Sequence, residues 1–161
     1  MLWRRALRKS DATAVRVLVG ETGFFSEEEQ QVAVELVDET LLHGSASGYE
    51  FIFVDGPGDS GALLAYACFG PIPATLSSYD LYWIAVTPSQ QGKGLGGQLL
   101  REVERSAHLS GATQMFLDTS GRQQYAPTRA FYVRSGYKVA ATLQDFFAPG
   151  DDKVIFVKYL V

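Results

Sequence analysis

The chain has 161 residues, 47% of them hydrophobic and 20% charged, with a formal net charge of −4. That length and balance describe one compact domain, able to remove about 70% of its unfolded surface from water and so to fold without disulfides or metals. The acidic balance, with a pI near 5.1, repels nucleic acid. The lone cysteine has no partner within the chain, and no segment reaches the ~18 apolar residues that cross a bilayer. Arg4, Arg5, Arg8 and Lys9 are not followed by an apolar stretch of signal-peptide length, so the expected compartment is the cytoplasm, with neither membrane nor nucleic acid as partner.

Residues Leu2 to Arg8 alternate loosely and predict a first strand, with the basic cluster as its solvated face. Ser10 and Asp11 then offer an N-cap, and Ala14, Val15, Leu18 and Val19 recur at helical spacing. A second helix begins with the capping-box pair Ser26 and Glu29, carries Val32, Val34, Leu36, Val37 and Leu41, and stops at Gly44. Tyr49 to Asp55 and Ala62 to Phe69 are β-prone runs separated by Gly56-Pro57-Gly58-Asp59-Ser60-Gly61, which predicts a hairpin. Cys68 sits inside the second run and reads as a small buried core residue.

A third β-prone run, Tyr79 to Thr87, ends at Pro88. From Gly94 to His108 the period becomes helical, with Leu95, Leu99, Leu100 and Val103 on one face. A short strand Met115 to Asp118 follows, then a helix within Pro127 to Ser135 and strands Tyr137 to Leu143 and Val154 to Val161. A meander of strands followed by alternating strand and helix predicts the α+β class: one domain with a central mixed, mostly antiparallel sheet flanked by helices.

The most informative stretch is Thr87-Pro-Ser-Gln-Gln-Gly-Lys-Gly-Leu-Gly-Gly, which leads from a strand through Gly92, Gly94, Gly96 and Gly97 into a helix. Glycines there let the backbone approach a ligand, and the N–H groups and dipole of a helix N-terminus suit a phosphate. A Walker A loop is excluded, since Thr87 stands where its first glycine belongs and Gly94 follows Lys93. Gly92, Gly94 and Gly97 match a dinucleotide fingerprint by spacing, with Asp118 placed for a ribose, but a hairpin precedes the loop and no long βαβ series follows.

The segment Gln91-Gly-Lys-Gly-Leu-Gly resembles the [Gln/Arg]-x-x-Gly-x-[Gly/Ala] signature of the GNAT superfamily of N-acetyltransferases. Downstream, Thr128-Arg-Ala-Phe-Tyr-Val-Arg-Ser-Gly-Tyr resembles that family's helix with an aromatic-Tyr pair and a Gly-aromatic end. The resemblance spans Asp80 to Tyr137. It implies a GNAT-like fold, acetyl-CoA as acyl donor and an amine acceptor, with a homodimer left open.

It also implies roles. Backbone groups of Ile84 and Val86 would meet the pantetheine arm. Gln91, Gly92, Lys93, Gly94, Leu95, Gly96 and Gly97 would hold the pyrophosphate. Tyr132 matches the general acid that protonates the leaving sulfur, its alternative being a core aromatic beside Phe131. Where the family often has a pantetheine-binding Asn, this chain has Tyr125, so Tyr125 or Thr128 is left to touch the coenzyme.

Asp80 matches a carboxylate that serves as base in some relatives; a solvated loop-end aspartate, with water as base, is the alternative. By the period of two, Asp80, Tyr82, Ile84 and Val86 are expected on one face. His43 and His108 fall in last helical turns, and no metal-ligand spacing occurs. The acidic stretch Asp145 to Lys153 reads as a hairpin turn with exposed charges, or as the border of an acceptor site. The competing function is a non-catalytic module of the same fold that binds acyl-CoA.

Overall fold

Strands whose apolar residues run on without polar interruption must be covered on both faces, and the middle of this chain is built that way. A computed structural model describes residues 1–58 and 61–161; the expected turn residues Asp59 and Ser60 lie outside the described residues. The elements are β1 (Leu2–Arg4), α1 (Asp11–Glu21), α2 (Glu27–His43), β2 (Glu50–Asp55), β3 (Leu63–Pro71), β4 (Ser78–Val86), α3 (Leu95–Leu109), β5 (Gln114–Ser120), α4 (Ala126–Arg134), β6 (Lys138–Ala148) and β7 (Asp151–Tyr159). They form the expected α+β fold, a seven-stranded sheet in the order β1-β2-β3-β4-β5-β7-β6. Every neighbouring pair is antiparallel except β4 and β5, which are joined by the α3 crossover.

Alternate residues of β2 and β3 face opposite layers. Ile52, Val54, Ala65 and Ala67 pack with Leu95, Leu99, Leu100 and Val103 of α3 and with Tyr132 of α4. Phe51, Phe53, Tyr66 and Cys68 pack with Val15, Leu18 and Val19 of α1 and with Ala33 and Val37 of α2. Cys68 is buried there, and burial pushes its thiol pKa up, so it behaves as a core residue. The capping box at α2 is present: Ser26 Oγ accepts from the Glu29 N–H at 3.2 Å, and Glu29 Oε1 accepts from the Ser26 N–H at 3.2 Å.

Four expectations need correction. The first strand ends at Arg4, and Arg4 is not solvated: its guanidinium, 11% exposed, donates to Asp11 and Asp55 and lies over the Phe53 ring at 4.4 Å. Ser10 makes no side-chain cap: its backbone already has helical angles (φ −73°, ψ −11°) rather than the extended ones of a capping residue. On α2 the buried stripe is Ala33, Val37 and Thr40, while Val32 and Leu41 are exposed, a rotation of about one residue from the expected face. The acidic stretch after Asp145 is mostly strand: β6 runs to Ala148 and β7 starts at Asp151, so the turn shrinks to Pro149-Gly150.

A fifth correction shapes the site. Cys68 pairs with Trp83 and Phe69 with Leu81, so Tyr82 is an extra residue, a β-bulge in β4. The bulge shifts the alternation by one. Tyr79, Leu81, Ile84 and Val86 therefore all face α3, whereas Trp83 and Ala85 face the other layer. Asp80, between Tyr79 and Leu81, does not share a face with Ile84 and Val86. Next to the bulge the pairing of β4 with β5 stops, having joined only Ser78–Asp80 to Gln114–Phe116.

Removing one member of a buried ion network leaves its partners charged and unpaired, which costs about 3–5 kcal/mol. Arg4→Ala, which strands the Asp11 and Asp55 carboxylates, should therefore cause a loss of that order in urea denaturation. Arg105→Ala, at the exposed Arg105–Glu102 pair, should leave the unfolding midpoint where it is.

Candidate functional site

Where β4 and β5 part they leave a cleft of about 610 Å³. Its walls include Leu81, Tyr82, Trp83 and Ile84 from β4, Leu117, Asp118 and Thr119 from β5, Thr128 and Tyr132 from α4, and Phe24 and Phe25 from the loop between α1 and α2. A larger open groove of about 710 Å³ between the β1 edge and α3 contains none of the motif residues predicted for coenzyme binding or catalysis.

Tyr132 is both a packed aromatic and a lining residue of the cleft. Its ring is packed among Phe131, Tyr137 and Phe156 at 5.3, 5.8 and 5.9 Å, yet it lines the cleft, and its hydroxyl makes no hydrogen bond to a described residue. Burial, then the charge of Asp118, raises its pKa above the ordinary tyrosine value. The end of α4 is what fixes it. Gly136 takes a left-handed φ of +94°, which lets the Tyr137 N–H reach the Tyr132 carbonyl at 3.0 Å. The Tyr137 hydroxyl then donates to Glu104 of α3 at 2.9 Å, and Lys158 of β7 donates to the same carboxylate at 2.8 Å.

Two cleft residues carried no sequence signal for this placement. Thr119 is buried, and its Oγ1 has no hydrogen-bond partner among the described residues. Asp118, read in sequence only as part of a rejected fingerprint, lines both the cleft and a shallower cavity of about 360 Å³ beside it. Asp80 lines that second cavity with Asp118 and Lys153, and does not line the cleft itself. Its pKa is raised by burial and by Asp118, against an opposing effect of Lys153.

Tyr125 and Thr128 both line the cleft. The Tyr125 hydroxyl donates to the Phe24 carbonyl at 3.1 Å and its ring lies 5.8 Å from the Phe24 ring. That residue thus bolts the start of α4 to the α1–α2 loop. Ile84 lines the cleft; Val86 packs under α3, and its carbonyl accepts from Gln91 Nε2 at 3.0 Å.

The glycine loop follows at the end of β4. Gln91, Gly92, Lys93 and Gly94 are exposed and Leu95 is buried. Gly94, with a left-handed φ of +84°, is the N-cap of α3 and offers no side-chain cap. The first helical bond is Gln98 N–H to the Gly94 carbonyl at 3.1 Å, so the N–H groups of Leu95, Gly96 and Gly97 have no acceptor within the helix. A Cβ at Gly94 would meet nothing within 4 Å, which leaves the space beside it open. An uncapped helix N-terminus with open space in front of it fits the pyrophosphate of a coenzyme.

Residues 47–139 match the family model of the acetyltransferase (GNAT) domain. The chain belongs to the GNAT family. It is 48% identical to a protein from Desulfovibrio desulfuricans described as a GNAT-family acetyltransferase, covering 99% of both chains with a TM-score of 0.95. An aminoglycoside 6′-N-acetyltransferase complexed with coenzyme A shares the fold at 14% identity, with 100% of this chain and 98% of that one covered and a TM-score of 0.75. The ribosomal-protein-S18-alanine N-acetyltransferase of Escherichia coli does so at 20% identity, with 99% and 94% covered and a TM-score of 0.73. No curated protein matches the chain. In chain order the glycine loop follows β4 and the aromatic-Tyr helix α4 follows β5, the two strands that part.

The carboxyl of Asp80 binds its proton more tightly in the folded chain than in the unfolded one, so its ionisation opposes folding at neutral pH. Asp80→Asn should raise the melting temperature at pH 7, and the gain should vanish as pH falls through the raised folded pKa towards the unfolded value. In an ultraviolet titration, Tyr132 should ionise only above the range of an ordinary tyrosine. Comparison with Tyr132→Phe identifies its contribution.

Proposed function

We propose that this GNAT-family chain is an N-acetyltransferase that carries the acetyl group of acetyl-CoA to the primary amine of an acceptor by direct attack within a ternary complex. The observation that carries the proposal is the Tyr132 hydroxyl, which has no hydrogen-bond partner among the described residues and lines a cleft whose β4 wall, Leu81 to Ile84, is followed in the chain by the uncapped, glycine-rich N-terminus of α3. A cytoplasmic setting belongs to the same reading.

Acyl transfer from a thioester needs a held coenzyme, a neutral amine, a stabilised oxyanion and a proton for the leaving thiolate. In this proposal the N–H groups at the start of α3 and the charge of Lys93 hold the pyrophosphate. The unpaired edge of β4 around Ile84 meets the pantetheine arm, and Thr119 Oγ1 and Thr128 stand beside it. The amine nitrogen forms a bond to the thioester carbon, the carbon–sulfur bond breaks, and Tyr132 gives its proton to the departing sulfur, to be reprotonated from solvent. The proton lost by the amine leaves through water to Asp118 and onward to Asp80, whose raised pKa makes it a better acceptor than an ordinary aspartate.

Tyr132→Phe retains the ring packing and removes only the hydroxyl. General acids contribute about 10²–10⁴-fold, and a thiol of pKa about 8.5 leaves tolerably without one, so kcat should fall by about 10²-fold with an unchanged melting temperature and unchanged acetyl-CoA affinity. Turnover of an identified amine at the parent rate would remove Tyr132 from the mechanism. Gly94→Ala puts a methyl group into the open space before α3 at a strain cost of about 1–2 kcal/mol. Calorimetry should show acetyl-CoA affinity reduced by about tenfold, the equivalent of one charge-assisted hydrogen bond.

A further inference from the structure

The cleft lies between β4 and β5, and its linings towards the two helical layers differ. On the α3 and α4 side it is bordered by Ile84, Thr119, Thr128 and Tyr132; on the α1 and α2 side the walls are aromatic. Phe25 meets Trp83 edge to face at 4.7 Å. Phe24 and Tyr82, 42% and 36% exposed, line the same cleft, Phe24 5.8 Å from the Tyr125 ring and Tyr82 edge to face with Tyr49 at 5.3 Å. If the coenzyme enters along the glycine loop, the aromatic side is what remains for the acceptor.

The charges in the cleft are also informative. Of its carboxylates, Asp151 is held by Arg122 and Ser120, and Glu29 closes the capping box of α2. Glu28 and Asp118 have no hydrogen-bond or ion-pair partner among the described residues. Asp118 lines the cleft together with Tyr132 and the neighbouring cavity together with Asp80, so it is common to the surroundings of the proposed acid and the proposed proton exit.

From these walls we infer that the acceptor is a small arylalkylamine, its ring lying between Phe24, Phe25, Tyr82 and Trp83 and its ammonium group drawn to Asp118. This rests on the acetyl-CoA-dependent reading above. Aromatic faces attract both a ring and a cation, and the cation must reach Asp118 to lose one proton before its nitrogen attacks the thioester. A sugar amine fits poorly, since its hydroxyls would be left against ring faces without partners. A linear polyamine fits poorly as well, because a second and third ammonium would find only Glu28.

Three measurements on the full chain decide the matter. Calorimetry with acetyl-CoA tests the underlying reading by itself. Acetylation of 2-phenylethylamine, spermidine, glucosamine and a peptide with a free N-terminal alanine then ranks the acceptors. Phenylethylamine should have a kcat/KM at least about tenfold above the others. Phe24→Ala and Asp118→Asn, both at exposed positions, should each lower that value by about tenfold with acetyl-CoA affinity retained. In a Trp3→Phe background, where Trp83 is the sole tryptophan, phenylethylamine should alter its fluorescence in the coenzyme-bound protein.

Acetyl-CoA binding together with preference for the sugar, polyamine or peptide overturns the acceptor assignment and leaves the enzymatic reading standing. Acetyl-CoA binding with no response of Trp83 to phenylethylamine does the same. Failure to bind acetyl-CoA overturns both.

Discussion

The parting of β4 and β5 is the constraint on which the rest of the site depends. Two parallel strands joined by a helical crossover would ordinarily pair along their length, and here they pair over three residues each. The extra residue at Tyr82 shifts the alternation of β4. It turns Ile84 towards α4 while leaving Asp80 on the opposite face. The cleft between the two strands and the strand edge without a partner both lie beside this local irregularity. β-bulges bend and twist the strand that carries them and are concentrated beside active sites.

Holding such a gap open requires support on either side. Glu104 of α3 receives both Tyr137 and Lys158, tying the C-terminal end of α4 to α3 and β7. At the other end of α4, Tyr125 binds the backbone of the α1–α2 loop. The Tyr125 hydroxyl is thus engaged with the Phe24 backbone, and its ring lies beside the Phe24 ring in the wall of the cleft. Farther away, the Arg4, Asp11 and Asp55 network seals the edge of the sheet beneath α1. That removes three charges from solvent by pairing them with one another.

Sequence motifs and structure meet differently in the two halves of the site. The glycine loop was legible because its chemistry is backbone chemistry: positive φ at Gly94 and free N–H groups at a helix start are properties of residue type and local order. The aromatic-Tyr pair was legible as a pattern, although a packed ring and a working hydroxyl have the same letter. Thr119 and Asp118 were not legible as site residues, since nothing within β5 marks where its partner strand leaves it. The expected common face of Asp80 and Val86 failed because a period of two assumes an uninterrupted ladder, and a bulge is decided by the pairing of β3 with β4.

By itself the sequence determined the α+β class, the order of its elements, the capped start of α2, the burial of Cys68 and the family. All of these follow from short-range periodicity, turn chemistry and two contiguous motifs. Tertiary structure decided what depends on partners far away in the chain. It set the buried role of Arg4 against Asp55, the rotated face of α2, the bulge at Tyr82, and the assembly of Phe24, Trp83, Asp118 and Tyr132 around one cleft. Those four residues come from four separate elements, and no spacing along a chain encodes a distance that only the packing of a sheet creates.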